Sequence, residues 1–286
     1  MAEETQPPEI KEPVQKTDPL VKEMIGFGVS LYYGSRFFSY PPTSVAHALR
    51  ESIGSLKSEF DPTAIDFLYR ARLHSPRMED PGKPYRGEAI LNPPGNLACA
   101  GRLNCSGISR LYLASTQDVA AAEIRAVTGD YVTVARFKLS QRIGVFDFRN
   151  IEKRADGGPK ELLAYIRRII SVPVFSYDNY ECVLSQWITE YMQQLGVHAV
   201  IFPSVMRGQS KEEKKLVHDI LKISPREYFN VCAFYPSQFQ LIADSETVMR
   251  VHELSLYVAT DETYYKIKAL REFEANPKKY VHPPED

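Results

Sequence analysis

The chain has 286 residues with nearly balanced charge, since 35 Lys and Arg face 36 Asp and Glu for a formal net charge of -1. Its composition, 44% hydrophobic and 25% charged, is typical of a globular protein with one large domain. This balance argues against nucleic-acid binding, which usually requires a basic excess or stripe. No stretch approaches the roughly 20 apolar residues of a transmembrane helix. Since the N-terminus also lacks the apolar core of a secretory signal, we expect a cytoplasmic protein that does not act at membranes.

The chain ends and the first helices are the first predicted elements. Residues 1–19 are rich in Pro and Glu and predict a disordered tail. Residues 20–64 form a predicted N-terminal helical extension, whose clearest helix has Thr43 or Ser44 as its N-cap and apolar residues every three or four positions. Residues 261–286 are a predicted C-terminal tail.

The segment between these ends, residues 65–260, alternates helices and strands without a strict βαβ order. Strands are predicted over 65–73, 110–114, 131–139, 143–148, 198–202, 229–235, 239–243 and 246–258, and helices over 116–126, 159–170 and 179–195. The helix after Ser115 has a capping-box pattern, because Asp118 follows three residues later. The predicted class is α+β, with a split, mixed or largely antiparallel sheet flanked by helices.

Several common site motifs are missing from this sequence. The four cysteines form no CxxC pair, which favours free thiols over a zinc site or a disulfide framework. The six histidines are scattered, and no HExxH, Gly-rich phosphate loop or GxSxG motif occurs. We therefore predict no metal site and no resident cofactor.

Two arginines lie inside an apolar strand candidate. Arg70 and Arg72 are two residues apart, so both point to one face of the strand, opposite Tyr69 and Ala71. A buried guanidinium needs an anionic partner. The pattern is compatible with an anion site and with a solvated sheet face.

Glu123 is a carboxylate on the apolar stripe of a predicted helix. It lies three or four residues from Val119, Ala120 and Val127. A carboxylate on that face is costly unless it is paired or opens into a cleft. A structural ion pair and a functional carboxylate both remain open.

Arg102 and Ser204 occupy positions that often carry function. Arg102 follows Gly101 and precedes Gly107 in a loop before a strand–helix turn, and its guanidinium offers a fork to phosphate. Ser204 ends an apolar strand, where a turn serine is either structural or functional.

These residues lie within motifs that resemble the RES-domain family, which is named after its Arg, Glu and Ser motifs. The resemblance covers roughly residues 65–258. The matching motifs are Leu-Tyr-Arg-Ala-Arg at 68–72, Ala-Gly-Arg-Leu-Asn at 100–104, Gly-Ile at 107–108, Leu-Tyr-Leu-Ala at 111–114, Ala-Glu-Ile-Arg at 122–125, Leu-Ser-Gln at 184–186 and Phe-Pro-Ser at 202–204. One departure is that Arg207 follows the Pro-Ser motif one place later than in the family's pattern.

The resemblance implies an ADP-ribosyltransferase-like core that binds NAD⁺ in the cleft of a split sheet. Members of the family are typically toxins of toxin–antitoxin modules, and they cleave the nicotinamide–ribose bond with phosphate or water as acceptor. NAD⁺ is then a substrate, phosphate is a candidate co-substrate, and the expected partner is a helix-turn-helix antitoxin whose tail blocks the cleft. A few similar proteins instead attach ADP-ribose to a target protein.

The resemblance also implies roles for individual residues. Glu123 is expected to stabilise the developing positive charge on the ribose, with Ser204 orienting the nicotinamide ribose or amide. The expected catalytic residues are Glu123, Arg70, Arg102 and Ser204, and the expected substrate-binding residues are Arg72, Tyr112 and Asn104. Two alternatives remain, a protein ADP-ribosyltransferase and a catalytically silent nucleotide- or partner-binding module. The sequence also leaves open whether the helical extension mediates a homodimer.

Overall fold

A computed structural model describes residues 18–76, 78–149, 151–155, 159–171, 182–204 and 228–251. Most of the predicted N-terminal tail, the predicted C-terminal tail and Arg207 lie outside the described residues. No helix in the described part of the chain is both long enough and apolar enough to span a membrane.

Six helices and nine strands form the framework of the described residues. The helices are α1 (Pro19–Tyr33), α2 (Thr43–Leu56), α3 (Gln117–Glu123), α4 (Ile151–Arg154), α5 (Pro159–Ser171) and α6 (Val183–Gln194). The strands are β1 (Ser58–Phe60), β2 (Leu68–Leu73), β3 (Leu111–Ala114), β4 (Tyr131–Leu139), β5 (Ile143–Asp147), β6 (Ala199–Pro203), β7 (Phe229–Ala233), β8 (Phe239–Leu241) and β9 (Thr247–Arg250). Residues 252–258 of the last predicted strand lie outside the described residues.

The strands form a mixed sheet in the order β1-β5-β6-β7-β3-β2-β4-β8, with β9 also paired to β4. The β5–β6 pair is parallel, and the other pairs are antiparallel. β2 and β3 share a single paired position, Tyr69 with Ala114, so the sheet opens between these two strands. The predicted α+β class, with a mixed sheet flanked by helices, is confirmed.

Alternation along the strands divides the apolar residues between two faces of the sheet. On one face, α1, α2, α5 and α6 cover the side chains of Phe146, Val200 and Phe202. On the same face, α3 covers Ala71 and Ala114. The opposite face is covered in part by the loop after β2, which packs Ile90 and its neighbours against the sheet.

The N-terminal helices pack tightly into this core. Phe27 of α1 meets Trp187 of α6 edge to face, with ring centroids 4.7 Å apart. A Cβ added at Gly28 would lie 2.9 Å from the end of the Leu184 side chain, so a larger residue here requires that side chain to move. α1 and α2 therefore share one hydrophobic core with α5 and α6.

The predicted cap of α2 was wrong. The residue before the helix, Pro42, is the N-cap and makes no side-chain capping bond. Ser44 instead donates its hydroxyl hydrogen bond to Glu23 of α1. The Ser44 hydroxyl thus bonds to a neighbouring helix and does not cap its own helix. A local stretch of sequence cannot reveal a contact between two helices.

The predicted capping box at Ser115 was also wrong. The N-cap of α3 is Thr116, whose Oγ1 accepts from the Val119 amide at 3.2 Å. Ser115 still belongs to the strand end, where its Oγ accepts from the Phe229 amide at 3.1 Å. The helix also ends at Glu123, before the predicted limit, because Arg125 adopts a left-handed conformation with φ of 56°.

Candidate functional site

A cavity of about 320 Å³ lies beside the opening between β2 and β3, on the face covered by α3. Its volume is within the range of small-molecule pockets. The lining residues are Tyr69, Arg70, Ala71, Arg102, Tyr112, Leu113, Ala114, Ala120, Glu123, Ile124, Arg125, Phe202 and Asn230. Arg70, Arg102, Tyr112 and Glu123, which lie far apart in sequence, are thus brought to one cavity.

Glu123 is the last residue of α3 and the carboxylate of this cavity. The buried alanines 120–122 pack the helix closely against the sheet, so its final residue reaches the cleft. Oε1 accepts two hydrogen bonds, from Ser204 Oγ at 2.8 Å and from Asn230 Nδ2 at 2.6 Å. These two donors fix the orientation of the carboxylate, with the side chain 20% exposed to the cavity.

Arg102 is the cation next to this carboxylate. One of its terminal nitrogens, Nη2, lies 3.8 Å from Oε2 of Glu123. The other, Nη1, donates to the Ile170 carbonyl near the end of α5 at 3.2 Å. Nε is buried without a hydrogen-bond partner among the described residues. The 3.8 Å contact is long for a charge-assisted hydrogen bond, so part of the guanidinium's bonding capacity is unused.

Arg70 enters the cavity from β2. Its Nη1 donates to the Tyr112 carbonyl at 3.3 Å, across the gap where β2 and β3 separate. Burial lowers the pKa of Arg70 to about 10, and the nearby charge of Arg72 adds to this. Nε is again buried without a partner in the described part of the chain. A buried cation with unused donors is a favourable position for an anionic ligand.

Tyr112 lines the cavity and is held from behind by Asn104. The Tyr112 hydroxyl donates to Asn104 Oδ1 at 2.8 Å and accepts from the Leu103 amide at 3.1 Å. Burial raises the pKa of Tyr112 well above its usual value, so it remains a neutral phenol. Asn104 also donates to the carbonyls of Cys99, Cys105 and Ile108. Asn104 does not line the cavity and instead fixes the loop that carries Arg102.

Three predicted site residues do not line the cavity, namely Arg72, Asn104 and Ser204, and of these Arg72 has, among the described residues, no contact with a lining residue that would bring it to the site. Nη1 of Arg72 donates to the Ala89 carbonyl, and its guanidinium carbon lies 4.6 Å from the centre of the Tyr85 ring. Arg70 and Arg72 do leave β2 on the same side by strand alternation. Arg70 passes into the gap beside β3, whereas Arg72 is held by the loop that covers the opposite face of the sheet.

Asn230 is a cavity residue that sequence reasoning missed. It is 4% exposed and pairs with Phe202 across the β6–β7 ladder, which places its amide next to Glu123. Ser204 is similarly buried at the end of β6, with its hydroxyl on the same carboxylate oxygen. The available signal was a lone amide in the otherwise apolar strand Phe229–Ala233.

Comparison with known families finds a match over the central part of the chain. The family model of the RES domain matches residues 67–217, just over half of the chain. This range includes Arg70, Arg102, Glu123 and Ser204, but it ends before Asn230. No curated protein matches the chain.

Proposed function

The chain belongs to the RES-domain family, and on this premise we propose that it cleaves the nicotinamide–ribose bond of NAD⁺. The resemblance seen in the sequence is thereby confirmed at the level of the family. The observation that carries the proposed activity is the Glu123 carboxylate, held by two buried donors in a cavity that also contains Arg70 and Arg102.

The bond that breaks determines the charge that the site must stabilise. When the bond from ribose C1 to the nicotinamide nitrogen breaks, both electrons leave with nicotinamide, which becomes neutral. The ribose then carries oxocarbenium character, as in glycoside cleavage. A fixed carboxylate beside that carbon stabilises the transition state more than the ground state. We assign this role to Glu123, with Oε2 as the oxygen that lacks the Ser204 and Asn230 hydrogen bonds.

The two buried arginines suit the diphosphate of the same substrate. Guanidinium groups form bidentate hydrogen bonds with phosphate oxygens, and both Arg70 and Arg102 have an unpartnered buried Nε among the described residues. Tyr112, locked by Asn104, offers a rigid ring surface for the nicotinamide.

The acceptor completes the reaction. An oxygen of inorganic phosphate forms a bond to ribose C1 and gives ADP-ribose-1″-phosphate. Water forms the same bond, releases a proton and gives ADP-ribose. A protein side chain as acceptor would make the enzyme an ADP-ribosyltransferase.

The test is NAD⁺ consumption by the purified full-length protein, with and without inorganic phosphate, followed by NMR of the products. We expect NAD⁺ loss and nicotinamide release, and Glu123→Gln should slow both about 10²- to 10³-fold or more while retaining the wild-type unfolding temperature. Absence of nicotinamide release under both conditions would reject the proposed activity. Equal release by Glu123→Gln would reject the assignment of Glu123.

A role as the toxin of a toxin–antitoxin pair is a further part of this proposal. Expression in bacterial cells should lower cellular NAD⁺ and stop growth, whereas Glu123→Gln should do neither. Co-expression of a helix-turn-helix protein encoded next to this chain should restore growth. Normal growth with depleted NAD⁺, or growth arrest with unchanged NAD⁺, would reject the toxin mechanism.

A further inference from the structure

The Leu-Ser-Gln motif at 184–186 lies in the first turn of α6, and none of its three residues lines the cavity. Ser185 is 3% exposed and Gln186 is 6% exposed, so two polar side chains are buried side by side on this helix. Burying a hydroxyl or an amide costs free energy unless the group finds hydrogen-bond partners. The partners of both side chains are in the loop that carries Arg102.

Ser185 holds the backbone of Arg102 itself. Its Oγ donates to the Arg102 carbonyl at 2.6 Å and also lies 2.9 Å from the Cys182 carbonyl of its own helix turn. A hydroxyl carries one hydrogen, and the shorter of the two contacts is the one to Arg102. The backbone of Arg102 is therefore attached to α6, while its guanidinium is attached to the Ile170 carbonyl of α5.

Gln186 connects the two ends of the same loop. Its Nε2 donates to the Gly101 carbonyl at 2.7 Å, and its Oε1 accepts from the Cys105 thiol at 3.5 Å. Burial raises the pKa of Cys105 to about 11, so the thiol keeps its proton at neutral pH and remains a donor. One buried amide thus fixes the residue before Arg102 and a residue three places after it.

These hydrogen bonds are directed at the loop and not at the packing of α6. Among the described residues, the side-chain hydrogen bonds of Ser185 and Gln186 go to residues 101, 102 and 105, with the Cys182 carbonyl as the one exception. Their neighbours Leu184 and Trp187 instead contact α1. The first turn of α6 therefore divides its side chains between the packing of helices and the loop of the cavity.

We infer that Ser185 and Gln186 are positioning residues, which hold the Arg102 loop so that the guanidinium stays beside Glu123. The inference rests on the proposed cleavage of NAD⁺, in which Arg102 binds the diphosphate and Glu123 stabilises the ribose. Nη2 of Arg102 lies 3.8 Å from Oε2 of Glu123, so this contact alone is too long to fix the guanidinium. A misplacement of about 1 Å in a site of this kind can cost about 10²-fold in rate.

Steady-state kinetics of the full-length protein with NAD⁺ give the first test. We expect Ser185→Ala and Gln186→Met each to lower kcat/KM about 10-fold or more, because each frees part of the Arg102 loop. The matched control is Gln194→Met, the same substitution at an exposed residue of the same helix, and it should leave kcat/KM unchanged. Wild-type kinetics of both Ser185→Ala and Gln186→Met would overturn the inference.

A double-variant cycle with Arg102 separates positioning from a general effect on the fold. In an Arg102→Met background, Ser185→Ala and Gln186→Met should change kcat/KM by less than about twofold, because the group that they position is gone. Losses that add to that of Arg102→Met would overturn the inference. If Gln186→Met does not fold, Ser185→Ala removes a single oxygen atom and completes the cycle by itself.

Nuclear magnetic resonance of the ligand-free protein tests the inference without NAD⁺ cleavage. Nε of Arg102 is buried, so its hydrogen should exchange slowly with solvent while the loop is held. Ser185→Ala and Gln186→Met should speed this exchange about 10-fold or more, whereas Gln194→Met should not. The resonance is identified by its loss in Arg102→Met.

The two readouts distinguish failure of the inference from failure of the proposed function. Faster exchange in the two variants of a protein that releases no nicotinamide would reject the proposed function and support the positioning of Arg102. Unchanged exchange in both variants of a protein that cleaves NAD⁺ would overturn the positioning role and leave the proposed function standing.

Discussion

The cleft and the outer face of α1 depart from the usual distribution of polar and apolar residues in opposite ways. In the cleft, Arg70 and Arg102 each bury a nitrogen with no partner among the described residues. On the outer face of α1, Val29 and Tyr33 are exposed, and in the linker that follows α1, Phe37 and Tyr40 expose aromatic rings to solvent. Both arrangements cost free energy in an isolated chain. The cleft is suited to a charged ligand, whereas the exposed rings after α1 are suited to contact with another apolar surface.

The largest effect in this comparison is expected from Glu123→Gln, which keeps the shape of the side chain and removes its charge. We expect kcat for NAD⁺ cleavage to fall about 10²- to 10³-fold or more, since a group acting at the developing charge is lost. KM should change little. A raised KM with an unchanged kcat would assign Glu123 to substrate binding alone.

Arg70→Met distinguishes a functional cation from a structural one. We expect kcat/KM to fall about 10²-fold, since a charged contact to phosphate is lost. The unfolding temperature should equal or exceed that of the wild type, because a desolvated guanidinium without a described carboxylate partner is replaced by an apolar chain. Arg72→Met is the control, with activity expected to stay within about twofold of the wild type. A strongly destabilised but active Arg70→Met would show that Arg70 serves the fold.

Asn230→Ala tests whether the amide acts through Glu123. A hydrogen bond to a charged group contributes about 1.5–3 kcal/mol, so kcat should fall about 10- to 100-fold while KM stays near the wild-type value. Asn230→Asp has the same shape but places a second carboxylate against Glu123, so its kcat should fall further than that of Asn230→Ala. Equal activity in the two variants would contradict a role through this hydrogen bond. Steady-state kinetics at several NAD⁺ concentrations separate the two parameters.

The smallest effects are predicted for alanine substitutions at one glycine in each of the two N-terminal helices. Gly28→Ala inserts a methyl group against Leu184 and should lower the free energy of unfolding by about 1–3 kcal/mol. Gly54→Ala in α2 meets nothing within 4 Å and should instead raise it by about 0.5–1 kcal/mol. Urea denaturation of both variants measures the difference. A stabilised Gly28→Ala would contradict the tight packing of α1 on α6.

Much of the local structure could be predicted from periodicity. The alternation of apolar residues predicted β4 at its observed limits, Tyr131–Leu139, and the apolar run predicted β6 to within one residue. The predicted caps at Ser44 and Ser115 failed because both hydroxyls bond to distant elements, Glu23 and the Phe229 amide. Side chains with several available partners choose among them only after the elements pack.

The residues of the candidate site were likewise predicted only in part from the sequence. Motif resemblance selected Arg70, Arg102 and Glu123, and the fold brings these three to one cavity. It could not separate Arg70 from Arg72, because strand alternation gives both the same direction. It also missed Asn230, which reaches Glu123 through the pairing of β7 with β6.

The sequence by itself determined the α+β class, the family and the residue types available for chemistry. These properties depend on local spacing and on motifs that are contiguous in the chain. The tertiary structure decided that β2 and β3 separate after one paired position, and that Glu123 meets Ser204 and Asn230 on one oxygen. It also decided that the aromatic residues of the α1–α2 linker remain exposed. The physical reason is that burial and hydrogen-bond partners are set by contacts between distant segments, which no local pattern specifies.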